Sequence, residues 1–157
     1  MVSAAIGSTG YNIMLVLHLA SVIVAFAPVF VWPFVSMRLK KTGQPVGPTI
    51  NKLAAGLTLK VHGPALVAVG FFGFALSGMS GDGPDGEKIY SVSSPWLSAA
   101  AVLWVLGMGI MFGFMVPAEK KTVQGDAAAE KMLSMLGGVL HLILFVSLYL
   151  MVWKPGL

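Results

Sequence analysis

The chain has no cysteine. Disulfides, iron–sulfur clusters and thiolate catalysis are therefore excluded. Charge is scarce: Asp, Glu, Lys and Arg make up 10% of the 157 residues, against about 25% in a soluble domain. No phosphate-binding glycine loop, Ser–His–Asp pattern or zinc-protease motif occurs. The long apolar stretches contain no acid, so a carboxylate proton relay within them has no candidate. The first stretch has no basic segment ahead of it and no small-residue cleavage site behind it. It is also too long for a signal peptide.

What the chain does have is apolar length. Hydrophobic residues account for 57% of it. Four stretches, 11–37, 57–79, 96–116 and 132–153, each reach or exceed the ~20 residues that cross a ~30 Å hydrocarbon core. They predict an all-α fold: a single four-span transmembrane domain over 1–157, an integral membrane four-helix bundle. Arg38, Lys40, Lys41, Lys52, Lys60, Lys120, Lys121 and Lys131 lie to one side of the spans. Only Lys88 and Lys154 lie to the other, beside Asp82, Asp85 and Glu87. The positive-inside rule then places both termini outside, in a bacterial-type inner (plasma) membrane. The net charge of +4 follows from that topology and needs no nucleic-acid partner. The expected partner is the bilayer, whose anionic headgroups favour the basic loops. The outer loop 80–95 is rich in Gly, Ser and Asp and contains Pro84 and Pro95, as an irregular surface connection does. Asp82, Asp85 and Glu87 are spaced too closely for a 12-residue calcium loop and read as a solvated turn.

The two halves share a pattern. Lys40-Lys41 ends the first span and Lys120-Lys121 the third; Lys52 precedes His62 by the same interval as Lys131 precedes His141. Two tandem hairpins in the same orientation would produce this, and so would a convergent layout. The interval from lysine to histidine corresponds to ~15 Å of helix, which puts His62 and His141 about halfway across the bilayer. This requires the second helix to start near Thr49, with Thr49 as N-cap and Ile50, Leu53, Ala54, Leu57 and Val61 on one face. Alternatively the span starts at Leu57, and Lys60 reaches back to the surface. Pro64 should kink this helix just after His62. His18 enters from the opposite side, ~10 Å below the outer boundary, with His141 ~18 Å below it.

An ionisable side chain inside a span is costly and points to a functional site. All three histidines, His18, His62 and His141, are in that position. Neutral imidazole is a good axial ligand for a b-type haem, which needs no cysteine, and helix bundles hold such groups between facing helices. His18 with His141 is the preferred pair of axial ligands to the haem iron, and His62 with His141 the second. Gly70, Gly73 and Gly78, then Gly107, Gly109 and Gly113, then Gly137-Gly138 would allow close approach of a ring or another helix. The competing reading makes the histidines interhelical hydrogen-bond donors and the glycines packing devices. Met108, Met111 and Met115 read as adaptable packing, and Trp96 and Trp153 as an aromatic belt at the outer boundary.

His18 is followed eight positions later by Phe26-Ala27-Pro28-Val29-Phe30, and this helix resembles the opening span of the HemJ-type protoporphyrinogen oxidases. His62-Gly63-Pro64-Ala65-Leu66-Val67 is similar to that family's second span, and Trp96-Leu97 opens the third span in a similar place. The chain also resembles uncharacterised four-span bacterial membrane proteins with an early histidine. The resemblance implies a haem b held by His18. It also implies a lysine shortly after the Trp-Leu of the third span. Here that stretch reads Ser98-Ala99-Ala100-Ala101, so the family's enzymatic activity is not carried over. The expectation is a membrane protein that binds haem b for electron transfer or haem handling. The alternative is a non-catalytic accessory subunit or assembly factor of a larger respiratory-type membrane complex, with the histidines as packing groups; the protein partners to expect are other subunits of such a complex or a second copy of the chain in a homodimer.

Overall fold

The structure, a computed structural model, describes residues 6–84 and 86–156. Asp85 of the outer loop lies outside the described residues. Helix α1 runs over Thr9–Lys41 and the short α2 over Val46–Ala54. A π-helical segment, Thr58–His62, leads into α3, Gly63–Gly78. Helix α4, Pro95–Met108, continues through a second π segment, Gly109–Met115, into α5, Val116–Thr122. Helix α6, Ala127–Trp153, completes the chain. Four continuous units, Thr9–Lys41, Val46–Gly78, Pro95–Thr122 and Ala127–Trp153, are each long and apolar enough to cross a membrane. They are spans one to four of an all-α, multi-pass membrane protein. Among the described residues the only strand-like pairing is a single bridge between Asp82 and Lys88.

The ends of the spans are set by local chemistry. Ser8 caps α1 by accepting from the Tyr11 N–H at 3.3 Å. Asp126 caps α6 through the N–H groups of Ala128 and Ala129, at 2.9 and 3.1 Å. Gly43 and Gly125 turn the chain at positive φ between spans one and two and between spans three and four. The loop after span two is pinned where Ser77 donates to the Tyr90 carbonyl, the Tyr90 N–H donates to Ser80, and Lys88 pairs with Asp82 at 2.7 Å.

Span one packs along span two and span three along span four. Contacts of one with four and two with three close the bundle. Its centre is a cluster of Ala25, Phe26, Val29, Leu66, Met111, Leu140, Ile143 and Leu144. Large apolar side chains such as Ile23, Phe34 and Phe71 point outward, as hydrocarbon contact allows and water would not.

Both π segments end one residue before an X-Pro pair, at Gly63-Pro64 and Val116-Pro117. Proline has no N–H for the carbonyl four residues back, and its ring crowds that carbonyl. Widening the preceding turn relieves both: the Gly63 N–H bonds Thr58 O and the Val116 N–H bonds Met111 O. The expected distortion at Pro64 is therefore present as a π turn. The start of span two differs from expectation. Helix α2 begins at Val46 with Pro45 as N-cap, and the chain breaks at Gly56, whose φ is +76°. Leu53 and Val61 are exposed while Ile50, Ala54 and Leu57 turn inward, because the break ends the common stripe. Lys60 is exposed. The aromatic belt is also only half present: Trp153 is exposed, but Trp96 is buried, with its ring edge-to-face with Tyr90 at 5.6 Å.

Gly70 marks the tightest approach of spans two and three. A Cβ there would overlap the Trp104 ring, whose Nε1 donates to the Leu66 carbonyl at 2.7 Å. Gly78 has open space around it. Gly70→Ala should lower stability by about 1–3 kcal/mol through overpacking, whereas Gly78→Ala should be neutral or stabilising by up to about 1 kcal/mol. Unfolding of the two variants in detergent micelles provides the comparison.

Candidate functional site

A side chain in a helix lies over the turn before it, so the residue at i+4 covers the carbonyl of residue i. Three carbonyls of this bundle lose that cover or their N–H partner. Gly70 uncovers Leu66 O, which takes the Trp104 indole. Gly73 uncovers Val69 O, which takes His18 Nδ1 at 2.9 Å; a Cβ on Gly73 would sit 3.2 Å from His18 Cε1. Pro28 supplies no N–H to Val24 O, and His62 Nδ1 donates there instead, at 2.8 Å. His18 and His62 thus tie spans one and two together in both directions. His141 Nδ1 donates to Gly137 O of its own helix at 3.0 Å, and its ring meets Phe30 edge-on at 5.6 Å.

A carbonyl oxygen only accepts, so each Nδ1 carries the hydrogen. In the neutral ring Nε2 then keeps a free lone pair. Ligating histidines are ordinarily held in this way, with the second nitrogen donating to a backbone carbonyl. The hydrogen-bonding reading of the histidines and the ligand reading are therefore compatible.

The central cluster separates two cavities. Phe26, Leu66, Ile143 and Leu144 face one of about 580 Å³ at the terminal end of the bundle, where Ile6, Tyr90 and Lys154 lie. Ala25, Val29, Met111 and Leu140 face another of about 560 Å³ at the lysine-rich end. His18 lines the first; His62 and His141 line the second. The preferred pair, His18 with His141, is divided between the cavities, and the second pair is brought together.

The cavity at the terminal end is walled by Gly70, Gly73 and Gly107 and by the aromatic rings of Phe74 and Trp104. Trp96 lines it too, buried, and its Nε1 has no hydrogen-bond partner among the described residues. Lys154, held over the Tyr90 ring at 5.3 Å, stands at its edge. No acid lines it.

The cavity at the lysine-rich end has the opposite character. Glu119 and Glu130 line it with the two histidines, Met111 and Met115. Glu119 is buried and accepts from the Thr58 hydroxyl, with the backbone N–H groups of Gly56 and Thr58 beside the carboxylate. It thereby serves the restart of span two after the Gly56 break, where first-turn N–H groups lack helical partners. Glu130 accepts from the Asn51 amide and so ties α2 to α6. The third apolar stretch, 96–116, stops short of Glu119. The helix instead runs on to Thr122 and carries the acid into the bundle. The signal was available: spans two and three are antiparallel, so the end of one is level with the start of the other. Among the described residues no three His, Asp or Glu side chains converge as a metal site.

Set against family models, curated proteins and solved structures, the chain finds no match. The assignment of a function therefore rests on the two cavities.

The His62–Val24 bond should depend on Pro28. His62→Phe should cost about 1 kcal/mol in the native background and close to nothing beside Pro28→Ala, which returns an N–H to Val24 O. A double-mutant cycle read by unfolding in mixed micelles measures the coupling; equal costs in both backgrounds would show that proline does not free this carbonyl.

Proposed function

We propose that the protein binds one haem b in the cavity at the terminal end, with His18 as axial ligand, and serves electron transfer or haem handling in the membrane. The observation that carries this reading is the donor set of that cavity. The imidazole of His18, held through Nδ1, a glycine-walled apolar slot and a lysine at the edge share one space. These match the parts of a haem: its iron, its flat apolar faces and its two anionic propionates. The cavity of about 580 Å³ is of the size that holds cofactors. Bound there, the haem would supply one-electron chemistry that no side chain of this chain offers.

The residues divide the work. Val69 O fixes the ring of His18 and selects its tautomer. Gly73 leaves room for that ring to lie against span two. Lys154 Nζ, at the edge of the cavity, would be the donor for a propionate. The resemblance to the HemJ-type family supports His18 as ligand, and the missing third-span lysine argues against that family's reaction. His62 and His141 are disfavoured as the haem pair because two carboxylates share their cavity, and an anionic cofactor would meet unscreened like charge there. We further propose that the terminal end faces outward from a bacterial-type inner membrane, as the lysine distribution requires.

Protein purified from membranes should carry stoichiometric haem by the pyridine haemochrome assay. His18→Ala should remove it, while His62→Ala and His141→Ala should retain it. No haem in the native protein, or loss with His62 or His141 and survival without His18, would overturn the assignment.

A further inference from the structure

The cavity at the lysine-rich end presents two carboxyl groups and further acceptors, and among the described residues no Lys or Arg lines it. Glu119 is only 8% exposed, and Glu130 is half-buried. Glu119 has the Thr58 hydroxyl and the N–H groups of Gly56 and Thr58, and Glu130 has the Asn51 amide; all of these partners are neutral. The only ion pair among the described residues, Lys88–Asp82, is at the other end of the bundle. Lys52, Lys60, Lys120, Lys121 and Lys131 are all exposed and none lines the cavity. His62 and His141 give their Nδ1 hydrogens to carbonyls, and in the neutral ring the second nitrogen is an acceptor. A buried carboxylate without a counter-charge is costly, and this one is retained in the wall of an open space of about 560 Å³.

The shape of the site selects the kind of cation. Since no three His, Asp or Glu among the described residues converge, a bare metal ion finds no preformed ligand cage. The volume is that of an organic ligand, and Val29, Trp32, Met111 and Leu140 supply apolar walls. Trp32 adds a face that attracts cations. The two π segments and the Gly56 break are close by, and irregular backbone at membrane depth is tolerated where it lines a cavity. From this arrangement we infer that the cavity is a binding site for a lipophilic organic cation, with Glu119 as its counter-charge. The inference is independent of what the cavity at the terminal end holds.

The test uses tetraphenylphosphonium as probe on the full chain in lipid nanodiscs. Radiolabelled probe should bind saturably at one per chain and be displaced by unlabelled probe. The neutral triphenylphosphine oxide should not displace it. Glu119→Gln keeps an oxygen for the Thr58 hydroxyl and removes only the charge; it should weaken binding at least about tenfold. Should that variant fail to fold by circular dichroism, Glu130→Gln provides the same comparison from another helix and should also weaken binding. Partitioning without saturation, displacement by the neutral competitor, or unchanged affinity in a folded charge-removed variant would each overturn the proposal.

Discussion

In hydrocarbon, a backbone carbonyl without a hydrogen-bond partner has no water to turn to. This constraint organises the bundle. The spans are rich in glycine and proline, and five of these residues, Pro28, Pro64, Gly70, Gly73 and Pro117, bear on the carbonyl four positions earlier. Pro64 and Pro117 are accommodated by widening the turn before them into π geometry. Pro28 leaves Val24 O to be satisfied from the neighbouring span by His62. Gly70 and Gly73 open Leu66 O and Val69 O to Trp104 and His18. Polar side chains that a hydropathy profile registers as expensive intrusions thus hold spans one, two and three in register.

The same bonds prepare chemistry. Committing Nδ1 to a carbonyl frees Nε2, and the free nitrogens line cavities at opposite ends of one packed core. That core divides the polar equipment by charge. One cavity keeps an imidazole, an unpaired indole donor and a lysine; the other keeps two imidazoles and two carboxylates. The two proposals follow this division, an anionic, planar cofactor for the first and an organic cation for the second.

Much of the fold was legible because it follows from composition: four spans, their order, and the grouping of lysines at one end. The interruption of span two was legible at Pro64 but not at Gly56, since a lone glycine inside an apolar pattern does not announce a positive φ. The importance of the histidines was legible from their cost in a membrane. Their pairing was not. Helix rise along the sequence gives depth, yet His18 and His141 are separated by side chains of the central cluster, which depth alone cannot reveal. Glu119 was hidden by a boundary: the hydropathy of the third span fades at Val116, while the helix continues for another turn and a half. Trp96 was mistaken for a belt residue because its position at a span end says nothing about which way its ring faces.

The central claim is that backbone carbonyls hold all three imidazoles with hydrogen on Nδ1 and a free Nε2. Nitrogen-15 NMR of protein labelled at histidine, prepared without cofactor in lipid at neutral pH, reads this directly. The account predicts protonated Nδ1 and unprotonated Nε2 at His18, His62 and His141, the reverse of the tautomer favoured by imidazole side chains in water. Hydrogen on Nε2 with a bare Nδ1 at any of the three would contradict it.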